Sequence, residues 1–379
     1  MNFFNRLADR FAKVEPLPVG THHLQTTQDE KPYRVHLRLQ QDGSGVLIVN
    51  ASTVLQLNPT AAECAFHFIK GSTPEEAAKQ ISTRYRINKR VALEDFNNFT
   101  EQIHTLISTP DLDPVSFMGF EQAALHSTEL SVPLRLDCAL TYRLPENTQA
   151  EYAPVKRVTR ELSTDEWKII LTKAWTVGIP HITFTGGEAT LRDDLPELIA
   201  HAESIGQVCG LLTDGLKLAD KKYLDQLLQT GLDHILFILQ PEKKESWTAL
   251  ETIMPEDIFV TVHITLNKNS GNMGQVLEKL ASLKVQSLSL TLADDSLHET
   301  YNALRDQAAE LGLSLKFDLP VPYSANHPIA FETLEDHIPD GAGRAWLYVE
   351  PDGDVLPAQG KADQVLGNFL RDEWNAIHS

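Results

Sequence analysis

The chain has 379 residues, 42% of them hydrophobic, so it is long enough for two or three domains with sizeable cores. Its 52 acidic and 33 basic residues give a formal net charge of −19. Such a charge repels nucleic-acid backbones and anionic membrane surfaces, which argues against both as partners. Three widely spaced cysteines and an N-terminus without a long apolar run predict a cytoplasmic protein with reduced thiols.

The first predicted segment, residues 1–31, begins with a short amphipathic pattern and continues as a linker. Phe3, Phe4, Leu7 and Phe11 fall on one helical face, with basic side chains nearby. The pattern predicts a helix that packs on its own protein. Binding to a partner and contact with a membrane surface are the alternatives.

A small module is predicted over residues 32–108. Two runs of alternating apolar residues flank "QDGSG" within residues 34–50, which is typical of a β-hairpin. Three helical patterns follow, and Thr73 precedes Glu76 by the spacing of a capping box. A hairpin followed by three helices predicts a winged-helix-like module, and the prolines of residues 109–133 predict an extended linker.

Strands and helices alternate from residue 134 to residue 325. Runs rich in leucine and β-branched residues, separated by amphipathic helices, predict an α/β fold with parallel strands. Six or seven such units fall short of the eight in a complete barrel, so we expect a partial (β/α)6-7 barrel. Residues 326–379 predict a small C-terminal β-hairpin appended to it. The predicted strands are LRLDCAL, HITFT, QVCGLLT, HILFIL, IFVTVHITL, QSLSLTL and SLKFDL.

Polar residues follow several of these strands at their carboxyl ends, where α/β folds bind ligands. Adjacent glycines after the second strand let the backbone approach a ligand closely, and the glutamate that follows them suits an ammonium group. Each position has a simpler interpretation as a turn or a helix cap. We expect one rim that binds a cofactor through Gly186, Gly187, Glu188, Thr213, Asp214 and Asn267.

These strands and their neighbours resemble the radical S-adenosylmethionine family, in particular its peptide-modifying members. "FTGGEATLRDDLPELIAHA" is similar to the second strand and helix that contact S-adenosylmethionine, and "PLRLDCALTYR" resembles the first barrel strand. "LRLQQDGSGVLIVNASTVLQLNPTAAE" is similar to the pyrroloquinoline-quinone peptide chaperone, a leader-peptide-binding fold. "GAGRAWLYVEPDGDVLPAQ" resembles the hairpin that opens a SPASM auxiliary-cluster domain. The resemblance implies a peptide or protein partner.

The loop after the first strand departs from the family in its cluster ligands. The family's CxxxCxxC motif falls here on Leu144, Thr148 and Glu151, with Tyr152 matching the aromatic residue that often follows. Leucine, threonine and a single carboxylate cannot replace the soft thiolates that hold an iron–sulfur cluster. No histidine occurs between residues 139 and 180 to substitute for them.

Two further regions depart from the family. Ala358 and Asp340 take positions where the auxiliary-cluster domain has cysteines, and Ile238 takes that of a polar residue which reaches the cofactor's ribose in relatives. In the family, the cluster delivers the electron that cleaves the sulfonium. We therefore expect no radical catalysis, no catalytic residues, no metal and no iron–sulfur cluster, with S-adenosylmethionine left as an open alternative.

These departures favour a catalytically degenerate homologue that acts as a peptide- or protein-binding scaffold. Its N-terminal module would bind a peptide as an added strand. The alternative is a cluster-independent enzyme or S-adenosylmethionine-binding protein, with Glu188, Glu151, Asp214 and His263 as acid–base candidates. A third hypothesis is an iron–sulfur enzyme whose cluster is completed by a partner chain.

Overall fold

The structure is a computed structural model, and it describes residues 17–26, 33–49, 53–109, 132–146, 157–268, 270–293, 295–315 and 341–378. The chain divides between residues 131 and 132 into an N-terminal and a C-terminal unit, with Trp175–Pro180 grouped with the first. The predicted N-terminal helix and most of the predicted linker lie outside the described residues. No helix among the described residues is long and apolar enough to span a membrane.

The N-terminal unit is an antiparallel sheet of four strands followed by three helices. The predicted hairpin is present, but it accounts for only two of the strands. The first strand lies within residues 1–31, which were predicted as a helix and linker; it lacks apolar alternation and pairs along its whole length with the second strand. The elements are β1 (Gly20–Thr26), β2 (Tyr33–Leu39), β3 (Gly45–Val49), β4 (Thr53–Leu57), α1 (Pro59–Ile69), α2 (Pro74–Tyr85) and α3 (Lys89–Ser108).

Local capping fixes where these helices begin. The Thr73 hydroxyl accepts from the Glu76 amide at 3.3 Å, and the Glu76 carboxylate accepts from the Thr73 amide at 3.0 Å, so the predicted capping box is confirmed. The Asn58 side chain accepts from the Ala61 amide at 2.9 Å at the start of α1. The helices then bury their apolar faces on the sheet, through residues such as Leu37, Leu47, Leu57, Ala61, Ile81, Phe96 and Phe99.

The C-terminal unit contains all seven predicted parallel strands, each paired to the next in chain order. Its strands are β5 (Arg135–Thr141), β6 (His181–Gly186), β7 (Val208–Thr213), β8 (His234–Ile238), β9 (Phe259–Leu266), β10 (Ser287–Leu292) and β11 (Ser314–Leu315). The helices between them are α4 (Thr164–Val177), α5 (Leu195–Ser204), α6 (Lys221–Leu228), α7 (Lys244–Ile253), α8 (Met273–Ser282) and α9 (His298–Glu310). Within the described residues β11 and β5 do not pair, so the α/β sheet is open, as expected for a partial barrel.

The C-terminal hairpin is present as predicted, but it is part of the main sheet and not an appendage. Its first strand pairs in parallel with β5, and the ten-stranded sheet continues from there through the hairpin. This pairing satisfies backbone groups that would otherwise be exposed along the edge of β5. The last elements are β12 (Trp346–Val349), β13 (Asp354–Leu356), β14 (Gly367–Asn368) and α10 (Trp374–Ile377).

The two faces of this sheet differ in chemistry. One face is apolar and meets the helices. Cys209 Sγ, for example, lies 3.9 Å from the Ile199 carbonyl of α5. The register places on that face Leu136, Cys138, Ile182, Phe184, Cys209, Leu211, Val262 and Leu288. The opposite face is also buried but carries polar side chains, among them Asp137, Thr183, Thr185, Thr261, His263, Ser287 and Ser289. Because burying polar groups costs free energy unless they find partners, this polar face is the one on which we expect a ligand site.

Candidate functional site

The predicted glycine pair lies at the carboxyl end of β6, against the exit of β5. The Gly187 amide donates to the Thr141 carbonyl at 2.7 Å, and the Glu188 amide donates to the Arg143 carbonyl at 2.9 Å. A Cβ on Gly186, whose φ is +136°, would lie 2.1 Å from the Thr141 carbonyl oxygen, and one on Gly187 would lie 2.2 Å from that of Arg143. The glycines are therefore required because two backbone segments meet here.

This contact buries the Glu188 carboxylate beside β7. The side chain is 2% exposed. Its Oε1 accepts from the Thr190 amide at 3.0 Å, the Thr190 hydroxyl at 2.6 Å and the Thr213 hydroxyl at 2.8 Å. Its Oε2 accepts from the Asp214 amide at 2.8 Å. These four hydrogen bonds come from residues at the carboxyl ends of both strands, so Glu188 joins the ends of β6 and β7 into one polar centre.

Asp214 is the titratable member of this centre. Its Oδ1 accepts from the Leu216 amide at 3.0 Å. Burial, and then the neighbouring Glu188 carboxylate, raise the pKa of Asp214 to about 7, against the opposing effect of that amide and of Lys243. Two adjacent carboxylates, one of which is protonated near neutral pH, favour a proton or a cationic group between them.

The remaining predicted site residues lie elsewhere on the sheet. Asn267 follows β9, which is separated from β6 by β7 and β8. Its backbone amide donates to the Ser270 hydroxyl at 2.9 Å. His263 is fully buried within β9, with Nδ1 2.9 Å from the Ser289 hydroxyl. Burial lowers the pKa of His263 to about 4, so the ring is neutral at neutral pH. The structure thus unites Glu188, Thr213 and Asp214, and it places neither Asn267 nor His263 in that centre.

The base of the loop after β5 is packed with apolar side chains. Leu144, which was predicted to take the first cluster-ligand position, packs with Val158 against Ala139, Tyr142, Tyr348 and Leu356. Thr148, Glu151 and Tyr152 lie outside the described residues, as does Asp340. Ala358 is described and buried.

The cysteines do not supply ligands for a cluster at this strand end. Cys138 and Cys209 are buried on the helix-covered face of the C-terminal sheet, and Cys64 is buried in α1 of the N-terminal unit. Burial raises the pKa of each of the thiols of Cys64 and Cys138, which disfavours the thiolate that binds iron. These three are the only cysteines in the sequence. The three cysteines therefore do not fit an iron–sulfur cluster at the end of β5.

Glu350, which no sequence pattern identified, contacts residues at both ends of the loop after β5. It follows β12, it is 1% exposed, and its Oε1 accepts from the Tyr142 hydroxyl at 2.8 Å. Arg157 donates through Nε to both carboxylate oxygens, at 2.7 and 2.8 Å, and its Nη2 lies 2.6 Å from Oε2. No local pattern could have identified this contact, because Tyr142 and Glu350 are 208 residues apart in sequence.

Glu350 also belongs to the one group of described acidic side chains that is close enough to hold a metal ion. The carboxylate oxygens of Glu350, Asp352 and Asp354 lie within 4.8 Å of one another. Glu350 already contacts Arg157, and Asp354 accepts from the side-chain amide of Asn368 at 2.8 Å and lies 3.5 Å from Arg371. Protein donors thus already neutralise and satisfy much of this turn, and we interpret it as structural.

Comparison with known proteins finds similarity to one superfamily and to one group of enzymes. Residues 138–245 match the Radical SAM superfamily. A PqqA peptide cyclase of Xanthomonas oryzae pv. oryzae is 26% identical over 288 residues, which is 64% of this chain and 74% of that protein. A PqqA peptide cyclase of Bradyrhizobium diazoefficiens is 35% identical over 111 residues, 29% of each chain. The chain therefore has a radical SAM superfamily domain and is homologous to PqqA peptide cyclases.

A solved structure supports the fold over nearly the whole chain. The structure of Streptococcus suis SuiB has a TM-score of 0.61 at 15% identity and covers 93% of this chain and 88% of its own. SuiB bound to S-adenosylmethionine gives a TM-score of 0.58 at 14% identity, over 94% and 88% of the two chains. The resemblance inferred from the sequence is thus confirmed at the level of the superfamily domain and the fold.

Proposed function

We propose that this chain is a peptide-binding scaffold built on a radical SAM fold and that it works without an iron–sulfur cluster. The observation that carries the proposal is Leu144. This side chain, at the position predicted for the first cluster ligand, is partly buried and packs against an apolar cluster, and every cysteine of the sequence is buried elsewhere. Reductive cleavage of S-adenosylmethionine needs a low-potential electron, which the cluster supplies in the family.

The N-terminal unit supplies a surface that suits an extended peptide. Among the described residues, β1 and β4 each pair on one side only, so both present backbone donors and acceptors at a sheet edge. An extended peptide adds to such an edge through main-chain hydrogen bonds. Homology to proteins named for their action on the PqqA peptide supports a peptide partner, and SuiB has been crystallised with the precursor peptide SuiA.

A matched set of proline substitutions tests this binding mode, because proline removes a backbone donor. Gln25 lies in β1, Gln56 lies in β4, and Gln41 lies in the turn between β2 and β3. A fluorescently labelled synthetic PqqA peptide is titrated into the full chain, and anisotropy gives the affinity. We expect Gln56→Pro or Gln25→Pro to weaken binding by about tenfold or more, and Gln41→Pro to leave it unchanged.

Thermal unfolding of each variant shows whether its sheet is intact. Equal weakening by all three substitutions, or an affinity that neither edge substitution changes, would contradict strand addition. The absence of binding by the unmodified chain to this peptide and to SuiA would contradict the peptide-binding proposal itself.

The cluster-free part of the proposal has a separate test. The protein is prepared anaerobically, reconstituted with iron and sulfide, and assayed for both elements and for absorbance near 400 nm. We expect iron well below one atom per chain, because the rim offers no thiolate ligands. Stoichiometric iron and sulfide, in the chain alone or with a partner protein, would restore the iron–sulfur enzyme as the better hypothesis.

A second candidate function, binding of S-adenosylmethionine, is favoured by the pair of carboxylates at the β6 and β7 ends. Asp214, whose pKa burial and Glu188 raise to about 7, would face the ammonium group of such a ligand. Calorimetry of the chain with S-adenosylmethionine tests this, with Asp214→Asn as the variant. A dissociation constant that this variant leaves unchanged would remove Asp214 from the binding site.

A further inference from the structure

The contacts around Glu350 form a compact set that we call the β5 joint: Tyr142, Leu144, Arg157, Val158 and Glu350. Tyr142 and Leu144 come directly after β5, and Arg157 and Val158 come where the described chain resumes after the loop. Glu350 reaches the joint from the C-terminal hairpin. The joint therefore brings together both ends of the loop that carries the cluster ligands in the family.

The joint has a polar and an apolar half. The polar half consists of four donor–acceptor contacts to a carboxylate that is 1% exposed, and their charge makes them strong. The hydrogen bond to Glu350 also raises the pKa of Arg157, so the guanidinium keeps its charge. The apolar half is the packing of Leu144 and Val158 on Tyr142, Tyr348 and Leu356.

The joint continues into the candidate site through the backbone. Thr141 and Arg143 flank Tyr142, and their carbonyls accept from the amides of Gly187 and Glu188 at 2.7 and 2.9 Å. A shift of Tyr142 therefore moves the two acceptors that hold the Glu188 turn.

We propose that Glu350, through its contacts with Tyr142 and Arg157, is a positioning residue for the Glu188 site. We call these contacts the tie, because they hold the exit of β5 in place. The tie fixes the two ends of the loop after β5 through side-chain contacts alone. The inference goes beyond peptide binding by the N-terminal unit, and it concerns the C-terminal unit only.

Amide hydrogen exchange of the full chain, resolved at Gly187 and Glu188 by mass spectrometry, tests the tie. Trypsin cleavage after Arg143 and Arg157 is followed in parallel. Both amides and both cleavage sites report local opening of the β5 exit. We expect Glu350→Gln to raise exchange and cleavage by about tenfold or more, because Arg157 loses its anionic partner. Tyr142→Phe removes one hydroxyl and is expected to raise both by a smaller factor.

The matched control is Glu166→Gln. Arg160 donates to Glu166 through both Nη atoms at 2.8 Å, so this pair has a similar bidentate geometry but lies at the surface. We expect this variant to leave exchange at Gly187 and Glu188 unchanged. Amides in β9 serve as a second control, since a general loss of stability would move them as well.

Two outcomes would overturn the proposal. One is exchange at Gly187 and Glu188 that both Glu350→Gln and Tyr142→Phe leave at the level of the unmodified chain. The other is protection that disappears with a chelator and returns after reconstitution with iron and sulfide. If Glu350→Gln does not fold, Tyr142→Phe decides alone. None of these measurements uses a peptide, so the tie can fail while the proposed function stands, and the reverse also holds.

Discussion

The carboxyl ends of β5 and β6 are neighbours in one sheet, but they are built from different chemistry. The end of β6 carries a buried carboxylate, Glu188, with four hydrogen-bond donors, and Asp214 beside it has a pKa near neutrality. The end of β5 is closed by Leu144 and by the Tyr142–Glu350–Arg157 contacts. Among the described residues, the polar centre at the end of β6 thus adjoins a strand end that is held by side-chain contacts of the protein itself.

The two strand ends depend on each other most strongly at Gly186. A Gly186→Ala substitution places a methyl group 2.1 Å from the Thr141 carbonyl and forces alanine to a φ of +136°. We expect a loss of at least about 4 kcal/mol in the free energy of unfolding, because neither backbone can move away without breaking the sheet. Urea denaturation measures this loss.

Gly271→Ala is the matched control, since no atom lies within 4 Å of its added Cβ. We expect its unfolding free energy to change by less than about 0.5 kcal/mol. Equal stability of the two variants would mean that the ends of β5 and β6 do not meet as closely as described.

The β6 end alone is expected to respond to pH through Asp214. The pKa of this carboxyl is raised from 3.8 to about 7, so the folded state holds a proton that the unfolded state has released. Stability is therefore lost as pH rises from about 4 to about 7. Asp214→Asn removes that loss and keeps an acceptor for the Leu216 amide. We expect its stability advantage to grow by about 1–3 kcal/mol between pH 5 and pH 8.

Urea denaturation at both pH values measures that difference. Asp363→Asn, in the exposed loop before β14, is the control for removal of one negative charge. An advantage of Asp214→Asn that is the same at pH 5 and pH 8, or that matches the control, would contradict a buried carboxylate pair at this strand end.

The smallest effects are expected on the polar face of β6, where two threonines of the same strand differ in their partners. Thr183 hydrogen-bonds Asp137, whereas the buried Thr185 hydroxyl has no hydrogen-bond partner among the described residues. Thr183→Val should cost about 1 kcal/mol, and Thr185→Val should be neutral or slightly stabilising. Thermal unfolding of the pair measures the contrast, and the opposite order would place a partner on Thr185.

The elements of the fold were largely predictable, because strands separated by amphipathic helices leave a periodic pattern in the sequence. The seven parallel strands and the three helices of the N-terminal unit are present as predicted. The strand β1 was missed, because "GTHHLQT" has no apolar alternation and is a strand only through its pairing with β2. The attachment of β12 to β5 was also missed, because sheet order is not encoded in local periodicity.

The candidate site was predictable where its residues are adjacent in sequence and lie at neighbouring strand ends. Glu188, Thr213 and Asp214 meet because β6 and β7 pair in parallel and end at the same edge. Asn267 and His263 follow the same pattern on β9, but the sheet order places β7 and β8 between them and Glu188.

The sequence shows that no cysteine lies between residues 139 and 208, because residue identity needs no structure, and it located the glycine turn. The tertiary structure was needed to show which side chains hold the two ends of the loop after β5. Glu350 is 208 residues from Tyr142, and it reaches the loop because β12 pairs with β5. Burial then gives that carboxylate two strong partners, and burial beside Glu188 raises the pKa of Asp214. Both properties arise from contacts between distant segments, which a local pattern does not specify.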